Sequence, residues 1–253
     1  MNHLAIELSE SSVKFTSLRE NIKVNEYSFE FYDRTENRYK EQLLQCLEDS
    51  GLKNQSFDEH SISWFSSKTS LVPMPIFAES NALDIFSLSF GADTPTSDID
   101  YNRIPENNLV NVFEIPSWVK SFFVLRYPRA VIQHESTMIL RQLFAGSMFQ
   151  SKIVVIPHSQ NFIVLMAYEG KFQFYSIFDY QSAEDIIYNL LFTLQQKDRV
   201  GQAADLLWCD GVGSNSNLLE NFEALFVRVN DFKTIKLKKQ QDFILNSHQF
   251  CVS

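Results

Sequence analysis

The chain has 253 residues, of which 45% are hydrophobic and 21% charged, enough apolar material for one large domain or two compact halves. A net charge of −9 argues against wide contact with a nucleic-acid backbone, which needs clustered Lys and Arg; only Lys233 to Lys239, "KTIKLKK", forms a basic run. No apolar stretch approaches the ~20 residues of a membrane span, and the amino terminus lacks a basic segment leading into an apolar core, so a cytoplasmic protein with no membrane insertion is expected.

The first thirty residues read as three strands, "HLAIELS", "SVKFTSL" and "KVNEYSFEF". Leu4, Ile6 and Leu8 alternate with Ala5, Glu7 and Ser9, the period of a sheet with one buried face. Between Asp33 and Ser50, Tyr39, Leu43, Leu44 and Leu47 recur at helical spacing, and Gly51 offers a stop. A strand "SISWFSS", the segment "SLVPMPIF" and a helix from Glu79 to Phe90 follow. The polar stretch Gly91 to Asn108 contains Pro95 and Pro105 and is expected to be the longest loop. Then come a strand "LVNVFEI", a helix opened by Pro116, a strand "RAVIQHE" and a helix from Ser136 to Phe144.

From Lys152 the opening pattern returns as "KIVVIPH", "NFIVLMAY" and "KFQFYSIF", with Glu169-Gly170 as a tight turn. A helix begins at Ser182, whose hydroxyl is expected to cap it while Asp185 completes a capping box. The strand "ADLLWC", the loop "DGVGSNSN", the helix "LLENFEALF" and a final strand pair, "VRV" and "TIKLK", close the chain. Both halves therefore read in the same order, three strands, helix, strand, helix, with a boundary near 128/129. The fold class this implies is α/β, two subdomains, 1–128 and 129–253, each a mixed sheet flanked by helices, with a ligand cleft expected between them.

Chemistry is sparsely marked. Only 7 glycines are present, although phosphate-cradling loops use Gly where backbone approaches a ligand. Cys46, Cys209 and Cys251 are widely spaced, which suits free thiols in a reducing compartment. His3, His60, His134, His158 and His248 lie in separate segments without the short spacing of a metal-ligand pair. No Gly-x-Ser-x-Gly elbow or Walker loop occurs, so no catalytic residue and no metal ligand is assigned.

The duplicated order resembles the actin-like ATPase fold, a ribonuclease H-like architecture shared by sugar kinases, heat-shock chaperones and bacterial assembly proteins such as PilM and FtsA. "LAIELSESSVKF" looks like the first phosphate loop of the PilM group, with Glu7 in place of Asp, Ser9 in place of Gly, Ser11 and Ser12 on the small residues and Lys14 on the Lys. Glu135 takes the place of the Glu before the second phosphate loop. In that loop Val155 or Ile156 falls where the Asp stands, and Pro157 or His158 where the Gly stands. "LLWCDGVGSNSN" resembles the adenosine motif and keeps Gly211, Gly213 and Ser214. "LVPMPIF" and "FDYQSAEDIIYNLLFTLQQ" are similar to a bacterial family of unknown function with this fold.

The resemblance implies the fold and a candidate nucleotide site of Glu7, Ser9, Ser11, Ser12, Lys14, Gly211, Gly213 and Ser214. The changes at the phosphate turns imply a pseudo-ATPase without cofactor, acting through an unidentified protein partner. The alternatives are a divergent ATPase or kinase using ATP and Mg²⁺, and a nucleic-acid-associated factor. Without a ligand, Glu7 and Lys14 read as ordinary strand residues, Gly211 to Ser214 as a turn, and His158 as a loop residue.

Overall fold

The computed structural model describes residues 1–33, 35–145, 151–215 and 217–250; of the three cysteines, Cys46 and Cys209 are buried free thiols, while Cys251 lies outside the described residues. Two units pack separately, Met1–Ala145 with Ile244–Ser253, and Gly146–Phe243.

In the first unit, β1 (Asn2–Ser9), β2 (Ser12–Arg19) and β3 (Ile22–Glu30) form the expected antiparallel meander. β4 (Glu59–Phe65) then joins β1 in parallel, and β8 (Val131–His134) joins β4 in parallel, giving the order β3-β2-β1-β4-β8. Alternation sends Leu4, Ile6, Leu8, Val13, Phe15, Ile62 and Trp64 to one face, where they meet Tyr39, Leu43 and Leu47 of α1 (Glu36–Asp49) and Val119 and Phe123 of α3 (Ser117–Arg126). Each such side chain taken fully from water is worth about 1.5–3 kcal/mol. Gly51, at φ +68°, ends the α1 region as its position in the sequence suggests.

Between β4 and β8 the chain builds a third sheet, β5-β7-β6, from β5 (Thr69–Pro73), β6 (Ile99–Ile104) and β7 (Leu109–Glu114). Phe86 of α2 (Ala82–Phe90) packs with Phe77, Val110 and Val112 on this sheet. The stretch Gly91 to Asn108 is therefore not one long loop, since β6 runs through it. An edge strand paired on one side tolerates the Asp100, Asn102 and Arg103 that made it look like loop. β8 pairs with β4 and leads into α4 (Glu135–Phe144), so these two elements, placed after a boundary at 128/129 by the sequence reading, belong with the first sheet.

The second unit repeats the sheet as β11-β10-β9-β12-β13, from β9 (Lys152–Pro157), β10 (Asn161–Tyr168), β11 (Lys171–Asp179), β12 (Ala204–Trp208) and β13 (Ile235–Lys239). Its core joins Ile153, Val155, Phe162, Val164, Met166, Leu206 and Trp208 to Ile186, Leu190 and Leu194 of α5 (Ala183–Gln196) and Phe222 and Phe226 of α6 (Leu218–Phe226). The turn Glu169-Gly170 has both residues at positive φ, 52° and 74°, as a type I′ hairpin requires. At the start of α5 Asp185 makes its half of the expected capping box. Asp185 accepts from the N–H groups of Gln181 and Ser182 at 2.9 and 3.0 Å, and the Ser182 hydroxyl lies 3.4 Å from the same carboxylate. "VRV", expected as a strand, follows α6 as a turn, so β13 alone closes that sheet. The short α7 (Phe243–Ser247) and the turn His248–Phe250 end the described chain.

Candidate functional site

Glu7, Ser9, Ser11, Ser12 and Lys14 come together around the β1–β2 turn, because the antiparallel register places Glu7 opposite Lys14. Both point to the sheet face opposite the α1 core, and Lys14 Nζ lies 2.8 Å from a Glu7 carboxylate oxygen. Glu7 is 1% exposed, and neither of its oxygens has a well-aligned hydrogen bond among the described residues, so this is a buried ion pair held by proximity. Both are strand residues, as expected in the absence of a ligand, but Glu7 is buried and Lys14 only partly exposed. Burial pushes the Glu7 carboxyl above the usual carboxylate range, against the pull of Lys14. Burial also opposes the charge on Lys14, but the Glu7 carboxylate outweighs it and holds the ammonium above the ordinary lysine value.

The turn itself is closed by its own side chains. Ser9 Oγ accepts from the N–H groups of Ser11 and Ser12 at 3.2 and 3.1 Å and lies 3.0 Å from Ser12 Oγ. Its carbonyls are tied down too. Ser9 O accepts from the Tyr39 hydroxyl at 2.6 Å, and Ser11 O from the Phe31 N–H at 2.8 Å. These are the backbone amides that a phosphate would use in a loop of this kind, and here a serine hydroxyl occupies them.

In the second unit, Gly211, Gly213 and Ser214 follow β12, as the strand-to-helix motif predicts. Gly211 donates its N–H to Pro157 O at 3.0 Å, and His158 Nδ1 lies 3.3 Å from Val212 O. A Cβ on Gly211 would sit 2.6 Å from Pro157 O and 2.7 Å from His158 Cε1. The glycine thus serves close packing against the β9–β10 turn. His158, read from sequence as a loop residue, is 1% exposed with its ring in this contact. Gly213 takes φ +76°, and Ser214 donates its N–H to Gly211 O at 3.2 Å, so these two form a turn. Val155 and Ile156, at the position where the resembling loop has Asp, are fully buried.

Three features near Glu7 become apparent only in the tertiary structure, although Glu135 was already picked out by the resemblance. Ser63 of β4 stands beside Glu7 in register, with a buried hydroxyl that has no hydrogen-bond partner among the described residues. Glu135, 1% exposed at the start of α4, adds its charge to the forces raising the Glu7 carboxyl. His3 and His248, 245 positions apart, both reach the Ser61 hydroxyl, at 2.7 and 2.5 Å. Only the alternation of His3, Ala5 and Glu7 hinted that His3 shares their face. Among the described residues, no group of three or more His, Cys, Asp or Glu is arranged to hold a metal ion.

Residues 1–228 match the family described as "Protein of unknown function (DUF3822)". The chain belongs to the DUF3822 family. The DUF3822 chain is also similar to a solved protein from Bacteroides thetaiotaomicron VPI-5482, described as having an actin-like ATPase fold and unknown function. The TM-score is 0.77 at 19% identity, covering 99% of this chain and 96% of that one. It resembles the PilM–PilN type IV pilus biogenesis complex at a TM-score of 0.54 and 12% identity, covering 94% and 91%. A ROK family glucokinase from Streptomyces griseus, solved with glucose and AMPPNP, gives 0.51 at 7% identity, covering 99% of each chain. At these identities the likenesses show the fold alone, and the fold is the actin-like ATPase fold. No curated protein matches.

The residues of the DUF3822 chain do not fit a magnesium-bound nucleoside triphosphate. Hydrated Mg²⁺ needs accessible carboxylates and the phosphates need free turn amides. Here Glu7 is buried against Lys14, and the Ser11 and Ser12 amides are bound to Ser9.

Proposed function

We propose that this DUF3822 protein is a pseudo-ATPase, a bacterial cytoplasmic protein that keeps the actin-like scaffold without nucleotide chemistry and acts by binding another protein. The observation that carries this reading is the β1–β2 turn. Its amides are taken by Ser9 Oγ, and its carboxylate and lysine are spent on one another. The second turn supports it, because His158 and Pro157 pack on Gly211 where the resembling motif keeps small residues.

Protein contact is supported by apolar side chains the fold leaves in water. On α3, Val124 and Leu125 are 50% and 84% exposed although Val119 and Phe123 already fill the core side. Leu88 on α2 is 88% exposed. The PilM–PilN complex offers a precedent for this fold joined to a protein partner. The charge of −9 disfavours a nucleic-acid partner.

Titration calorimetry of the full chain with MgATP tests the reading. No binding heat up to about millimolar nucleotide is expected, a free energy weaker than roughly −4 kcal/mol. Micromolar affinity for MgATP overturns it and establishes the alternative, a divergent ATPase or kinase.

A further inference from the structure

The face of the first sheet that carries Glu7 and Lys14 also carries the end of the described chain. Leu245 of α7 is buried with Ala5 and Leu18, and Ser247 and His248 are fully buried. His248 Nδ1 lies 2.5 Å from Ser61 Oγ, and His3 Nε2 lies 2.7 Å from the same oxygen. A hydroxyl has one proton to donate, so one imidazole must accept from it while the other donates to it. That chain closes when both rings are neutral. When both are charged, every ring nitrogen carries a proton and the Ser61 O–H loses its acceptor. The remaining nitrogen of His248, Nε2, is buried without a hydrogen-bond partner among the described residues, so a charged N–H there would be unsatisfied as well.

The surrounding charges add to this asymmetry. Lys14 on β2 opposes charge on His248, and His60 on β4 opposes charge on His3. Glu59 stands beside His3 in register on β4, Glu135 opens α4, and Glu7 lies on β1, already paired with Lys14. We propose that residues 244–250 are a proton-released strap, which lifts off the first sheet when His3 and His248 are both charged and uncovers the face bearing Glu7 and Lys14.

Burial, with the charges of His3 and Lys14 added, holds the His248 imidazole well below its ordinary value; burial and His60 bring His3 down to about 4. Both rings therefore bind protons more readily in the open state, so the strap is held above the ordinary imidazole range and loosens as pH falls through it. From pH 7.5 to 5.5, each ring favours opening by about tenfold, taking an open-state value near 6.5, and the two together by about a hundredfold.

Hydrogen exchange of the intact chain, read by mass spectrometry and corrected for the intrinsic pH dependence of exchange, measures this directly. Opening of peptides covering 244–250 should rise about a hundredfold between pH 7.5 and 5.5, while β9 and β10 keep their protection. His3→Gln leaves the strap sequence intact and should reduce the response to about tenfold; His248→Asn should do the same. An unchanged opening ratio across this pH range overturns the proposal. So does a hundredfold response that persists in both variants, or loss of protection in 244–250 together with the sheets.

Discussion

The β1–β2 and β9–β10 turns occupy equivalent places in two sheets of the same strand order, and each lacks the glycine of the resembling phosphate loops in a different way. In the first, a small polar residue remains, and its hydroxyl supplies the hydrogen bonds that close the turn. In the second, a bulky imidazole fills the space and a neighbouring glycine has become its packing partner. Polar self-satisfaction and steric filling thus reach one result, a turn whose donors and space are used inside its own unit.

Substitution should separate the two devices. The largest effect is expected for Lys14→Met, which leaves Glu7 buried without its counter-charge and should cost about 3–5 kcal/mol in urea unfolding. Combining it with Glu7→Leu should recover most of that loss, since the double change removes both charges. Gly211→Ala drives a Cβ into Pro157 O and the His158 ring and should cost about 1–3 kcal/mol. Adding His158→Ala to Gly211→Ala should relieve only the ring contact, because the carbonyl oxygen stays. Ser9→Gly removes the hydroxyl that closes the first turn, with an expected loss of about 0.5–1.5 kcal/mol. Calorimetry on that variant sharpens the contrast: it should still give no MgATP heat, because the Glu7–Lys14 pair remains.

The smallest effect concerns the neighbouring hairpins. Glu20 and Asn21 between β2 and β3 both have positive φ, 53° and 65°, as do Glu169 and Gly170 between β10 and β11. Asn21→Gly should stabilise by a few tenths of a kcal/mol and Gly170→Ala should cost about 1 kcal/mol, both read as shifts of the thermal midpoint.

Much of the fold was legible because the sequence repeats one period twice. Leu4, Ile6 and Leu8 show the two-residue alternation, and the apolar run Ile153 to Ile156 the composition, that the structure turns into central strands. β6 was not legible, because Asp100, Asn102 and Arg103 on an edge strand have the composition of a loop. The short "VRV" was misleading in the opposite sense, since its β-branched residues have the composition of a strand while Val227 caps the end of α6 and the stretch continues as a turn. At the candidate site, Glu7 and Lys14 were nameable from the resemblance to a phosphate loop, yet their pairing depended on register, which places them opposite each other on a buried face.

What the sequence determined by itself is the element order and the apolar faces, because these follow from local periodicity. The tertiary structure alone decided the state of the chemistry-bearing groups. Whether a carboxylate is a ligand or half of an ion pair, and whether two histidines 245 positions apart share one hydroxyl, depends on burial and on neighbours brought from distant strands.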